Sequence, residues 1–145
     1  MSAPSRIARL HRVRKYERSL AVSRLQEAST AHSDAQLAAE AMRAAREMAE
    51  NVALAAGTQP QAAQEWLAQR TLVESRLELE RIADLQVRRL GRQEALRRVE
   101  VRAALVREEQ MGTLGERLTE RRAASEQKSE QKMLDDLRRE GGGGR

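Results

Sequence analysis

Cysteine and phenylalanine are absent from this sequence, tryptophan and tyrosine occur once each, and only two prolines interrupt 145 residues. The lack of cysteine excludes disulfides, thiol nucleophiles and cysteine-ligated zinc together. The scarcity of aromatics, with most of the 40% hydrophobic content supplied by Ala, Leu and Val, excludes a globular core built on bulky side chains. No run approaches the roughly 20 consecutive apolar residues of a membrane span. Basic residues near the start, from Arg6 to Arg18, precede no apolar stretch of the kind a secretory signal carries. A cytoplasmic chain is therefore expected.

What is present in abundance is Ala, Arg, Glu, Leu and Gln, with 34% charged residues, the composition of long helices or coiled coil. Net charge is +5, and Lys15, Lys128 and Lys132 are the only lysines among 27 basic residues. Within the first thirty residues seven basic side chains face Glu17 and Glu27 alone, so that segment carries the excess and invites an acidic partner.

Gly57, Thr58, Gln59 and Pro60 form the one strong break. Gly accepts the left-handed conformation that ends many helices, and Pro neither extends a helix nor favours one before it. The expected fold is all-α: a long antiparallel two-helix coiled-coil hairpin whose second helix is longer and overhangs. The alternative at this break is a flexible kink between helices that do not pair. The boundaries read as a disordered lead over 1–5, a helix over about 6–56, a turn at 57–60, a helix over about 61–139 and a flexible tail over 140–145.

The large apolar residues suggest the seams. Ile7, Leu10, Val13, Tyr16 and Leu20 trace one stripe, then Ala38, Ala41, Ala45, Met48 and Val52 a seam of small residues at alternating spacings of three and four. Arg24, Glu27 and Asp34 would interrupt it and loosen the packing. In the second helix Trp66, Val73 and Leu77 share a face flanked by Leu72, Leu79 and Leu90. Leu96, Val99, Ala103 and Val106 follow, and Met111, Leu114 and Leu118 continue in a shifted phase near Gly91, Gly112 and Gly115, each costing about 1 kcal/mol in a helix. Setting residue 55 against 61 places Arg6 opposite about residue 110. Gln110 to Arg139, roughly 45 Å of helix, then has nothing in the chain to pack on, and its apolar residues call for a partner.

No catalytic grouping emerges. His11 and His32 stand apart and read as solvated helix residues, and Glu108 with Glu109 on a thin helical pair has nothing to desolvate it and shift its pKa. No phosphate-cradling glycine loop occurs, so no enzyme activity, cofactor, metal or small-molecule substrate is expected. Nucleic acid is disfavoured because only Tyr16 accompanies the basic segment, and a lipid surface because the apolar side of that segment is thin.

The opening "RIARLHRVRKYERSLAVSRLQEA", with Ile7, Leu10, Val13, Arg14, Tyr16, Glu17, Ala21, Leu25 and Ala28, resembles the start of the FliJ/YscO stalk proteins of flagellar and virulence type III secretion systems. The ending "LGERLTERRAASEQKSEQKMLDDLRR", with Leu118, Arg121, Arg122, Gln131, Lys132, Leu134, Asp135, Asp136 and Leu137, is similar to that family's closing run. The resemblance implies a stalk, peripheral to the inner membrane, whose terminal end enters the hexameric export ATPase and promotes its assembly. It implies that the hairpin tip meets the cytoplasmic domain of the export gate, and it allows export chaperones as further partners. Carried over by position, Leu10, Val13, Arg14, Tyr16, Leu118, Arg121, Arg122, Asp135 and Leu137 fall at the ATPase end. Met48, Val52, Trp66, Leu67 and Val73 fall at the gate-facing tip, where Trp66 equally suits a plain apolar seam. The competing readings are a basic coiled-coil scaffold or nucleic-acid-binding protein and a self-associating helical spacer.

Overall fold

The computed structural model describes residues 2–58, 60 and 62–142. Two long helices, α1 (Ala3–Ala56) and α2 (Ala63–Gly142), pack against each other as a helical hairpin, and no strand occurs among the described residues. The flexible tail expected over 140–145 falls partly on residues 143–145, outside the described residues; up to Gly142 the chain is helical.

Helix α1 begins at Ala3 rather than about Arg6. Pro4 lies in the first turn, where its missing N–H is not needed. The Arg6 amide and the Ser5 hydroxyl both donate to the Ser2 carbonyl, at 3.2 and 2.8 Å. At the other end the Gly57 amide still donates to the Ala53 carbonyl at 3.0 Å, and the Thr58 hydroxyl satisfies the Ala55 carbonyl at 2.8 Å. No described glycine has positive φ, so Gly57 does not use the left-handed conformation expected of it. Thr58 and Pro60 end the helix instead; Gln59 lies outside the described residues.

The chain divides into two packed units, one of residues up to Leu20 with those from Arg102, the other Ala21–Val101. In the second unit the shielded line of α1 runs through Ala21, Leu25, Ala28, His32, Ala35, Ala39, Met42, Arg46, Ala49 and Ala53. That of α2 runs through Val73, Arg76, Glu80, Ala83, Val87, Leu90, Glu94, Arg97 and Val101. Both alternate spacings of three and four without a slip, the signature of a coiled-coil seam. In the first unit Ile7, His11, Arg14 and Arg18 of α1 and Ala104, Glu108, Met111, Gly115 and Leu118 of α2 keep the same spacing.

The seam is only in part the one the large side chains suggest: Ile7, Val73, Leu90, Met111 and Leu118 lie on it. Leu10, Val13, Tyr16, Leu20, Ala38, Ala41, Met48 and Val52 are exposed, as are Leu72, Leu77, Leu79, Leu96, Val99, Val106 and Leu114. The tightest burial belongs to Ala39 and Ala104, with 5% and 4% of their surface exposed, because two helices alone leave the larger apolar side chains partly open to solvent. The interruption expected at Arg24, Glu27 and Asp34 disappears, since the seam passes through Leu25, Ala28, His32 and Ala35. The phase shift expected at the glycines is absent as well, α2 being continuous through all three. A Cβ built on Gly91 would lie 3.1 Å from His32 Nε2, one on Gly112 3.6 Å from His11 Nε2, and one on Gly115 3.5 Å from Ile7 Cγ2. The glycines make room for residues of α1.

Candidate functional site

In the unit holding the turn, the seam opens beside Trp66 into an apolar groove of about 400 Å³ lined by Glu50, Ala53, Leu54, Trp66, Gln69, Arg70 and Val73. Trp66, 48% exposed, lies four residues before Arg70 on α2, whose guanidinium carbon sits 5.4 Å from the ring centroid in cation–π range. Arg70 Nε also donates to Glu74 Oε1 at 3.2 Å. Of the five tip residues singled out from the sequence, Trp66 and Val73 line this groove; Met48, Val52 and Leu67 are exposed outside it. Leu54, Gln69 and Arg70 were not singled out, although the Trp–Arg spacing of four was a readable signal.

In the unit holding the described termini, Pro4, Ile7 and His11 face Met111, Gly112, Gly115 and Thr119 across a groove of about 550 Å³. Arg14 is half-buried and pairs with Glu17 at 2.8 Å on its own helix. Arg18 Nε lies 2.7 Å from Glu108 Oε2, an ionic contact outside hydrogen-bond geometry. Leu118 is half-buried in the seam, while Leu10, Val13 and Tyr16 are exposed. Ile7 reaches Gly115, and Pro4 shares the groove with Thr119 and Glu120, so α2 outruns α1 from about Arg121 rather than Gln110. From Arg121 to Gly142 every residue is exposed. This bare segment holds Arg121, Arg122, Asp135 and Leu137, with Met133, Leu134 and Leu137 exposing 58–65% of their surfaces. Arg122 pairs along the helix with Glu126 at 3.4 Å.

The two buried carboxylates of the seam are both matched by counter-charges. Glu80 and Glu94 are buried, contrary to the expectation that nothing here could desolvate a carboxylate. Arg46 hydrogen-bonds Glu80 across the helices through Nε and bonds Glu50 at 2.9 Å along its own, while Arg43 Nε lies 3.5 Å from Glu80. The Arg46 hydrogen bond holds the Glu80 carboxyl below its ordinary range, and Glu80 in turn raises the Arg46 pKa. His32 Nδ1 lies 2.6 Å from Glu94 Oε2, and Arg98 donates to the other oxygen at 2.8 Å; the His32 contact, then Arg98, lowers the Glu94 pKa against its burial. His32 is thus half-buried and paired rather than solvated, and His11 is half-buried against Gly112.

Among the described residues no group of three His, Cys, Asp or Glu side chains is placed to hold a metal ion, and no helix is long and apolar enough to cross a membrane. Neither a family model, nor a curated protein, nor a solved structure matches the chain.

Proposed function

We propose that this chain is a non-enzymatic stalk component of a type III protein export apparatus, acting at the cytoplasmic face of the inner membrane. It binds the hexameric export ATPase through its terminal residues and the cytoplasmic domain of the export gate through the region around its turn. The observation that carries the reading is the bare segment of α2 from Arg121 to Gly142, a helix with no cover and with Met133, Leu134 and Leu137 exposed. Helical stability in proteins comes mainly from packing of one face, which this segment lacks, and exposed apolar side chains at helical spacing suit burial in a partner's cavity. The resemblance of the opening and closing stretches to FliJ/YscO stalk proteins names that partner. At the turn, Trp66 with Arg70 above its ring offers a rigid amphipathic anchor of the kind that dominates protein interfaces. Export chaperones are further candidate partners of the same apparatus.

Pull-down with the cognate ATPase hexamer, combined with its steady-state hydrolysis rate, tests the reading. The full chain should associate and raise the rate, a chain ending at Glu120 should do neither, and Trp66→Ala should spare both while lowering export in cells. No association and no change in rate with the full chain would overturn the proposal.

A further inference from the structure

Opposite the seam it shares with α1, helix α2 carries a second line at alternating spacings of three and four: Ile82, Leu85, Arg89, Arg92, Leu96 and Val99. All six are exposed, the four apolar ones by 55–65% of their surfaces, an arrangement usually reserved for a buried coiled-coil face. The line reads as an apolar pair, a basic pair and an apolar pair, with Arg88 alongside. Among the described residues no carboxylate lies within ion-pair distance of Arg88, Arg89 or Arg92. The neighbouring acidic residues are engaged elsewhere: Asp84 faces Arg43, Glu94 pairs with His32 and Arg98, and Glu100 with Arg97. The Arg92 Nε–H turns back to the Arg88 carbonyl at 3.4 Å.

From this we infer that the outer face of α2 between Ile82 and Val99 docks an amphipathic helix of another protein whose own seam is apolar, acidic, then apolar. The inference goes beyond the stalk reading and does not rest on it. The occupant follows from charge and from the hairpin's own solution to the same problem. Inside this unit Arg46 is answered by Glu80, with the apolar positions Ala53 and Val73 on one side of it along the seam and Ala39 and Val87 on the other. A second copy does not fit. Antiparallel pairing of two such lines sets Ile82 against Val99 and Leu85 against Leu96, but brings Arg89 onto Arg92 twice, and parallel pairing opposes each arginine to itself. Like charges directly opposed are destabilising. Nucleic acid or an anionic lipid surface would answer the arginines but not the three-four spacing of the apolar pairs.

The test uses the full chain and a designed helical peptide of about three heptads, with leucines at the seam positions of its outer heptads and glutamates at those of its middle one. Fluorescence anisotropy should show saturable binding. The double change Arg89→Glu with Arg92→Glu should weaken it about tenfold or more, and should confer binding of a matched peptide whose central glutamates are lysines. Leu96→Ala should weaken both combinations. All three positions are exposed, so circular dichroism should give the same Tm for variants and parent. Absence of peptide binding overturns the inference, as does binding that ignores the charge of the central heptad. Concentration-dependent dimerisation abolished by Leu96→Asp overturns it in favour of a second copy. Capture of phosphatidylserine vesicles or duplex DNA that the double variant loses, without peptide binding, overturns it in favour of those partners.

Discussion

Three polar contacts, Arg18 with Glu108, His32 with Glu94 and Arg46 with Glu80, occupy seam positions two heptads apart along each helix. Buried ion pairs contribute little net stability, but an unpaired buried charge is costly, so such contacts discriminate between registers. A slip of one heptad would set Arg46 against Val73 or Val87 and strip Glu80 of its partner. The glycines opposite His32, His11 and Ile7 act at the same scale by admitting larger side chains. Replacing Gly112 or Gly115 by Ala adds only ordinary van der Waals contact while removing the helix cost of glycine, and should stabilise by about 0.5–1 kcal/mol. Gly91→Ala, crowding the His32 ring at 3.1 Å, should gain less or lose. Urea unfolding of the three variants should rank them in that order, and equal gains would mean that the His32 ring yields freely.

Each helix has a well-covered part and, in α2, a part with no cover at all. Helical stability in proteins comes mainly from packing of one face, and Arg121–Gly142 has none. Amide exchange there should run about 100-fold or more faster than between Val73 and Val101. A chain ending at Glu120 should melt within about 2 °C of the full chain. A large loss of Tm on truncation would show that the bare segment is covered in solution after all. Helix existence and approximate extent were legible in the sequence, because composition and the Gly57–Pro60 break speak for themselves. The start at Ala3 was not, since Pro4 reads as a breaker until its place in the first turn is known.

For the molecule as a whole, acid is the sensitive variable. Glu80 and Glu94 are held below the ordinary carboxylate range by Arg46 and His32 respectively. Their contribution is fully present above the unfolded-state value near pH 4.5 and is lost as pH falls through the lower folded-state values. Melts followed by circular dichroism should place the double variant Glu80→Gln with Glu94→Gln below the parent at pH 7. The gap should narrow as pH falls below about 4.5 and close once both carboxyls are protonated in the folded chain. A constant gap down to about pH 2 would mean that the lost shape of the contacts, rather than their charge, destabilises the variant.

By itself the sequence determined that two long helices form, where the chain turns between them, that α2 is the longer, and that no bulky core exists, since composition and breaker residues act locally. Only the tertiary structure decided which stripe faces inward. Large apolar residues at Leu10, Met48, Val52, Leu96 and Val99 advertise a seam by size, yet the shielded line has Ala39 and Ala104 at its tightest points and buries Glu80 and Glu94 on condition that α1 supplies Arg46 and His32. That condition is a matter of pairs such as Arg46 with Glu80, invisible along either helix alone. Of the candidate sites, Trp66 was legible as a residue, but its groove needed Ala53 and Leu54 from the other helix.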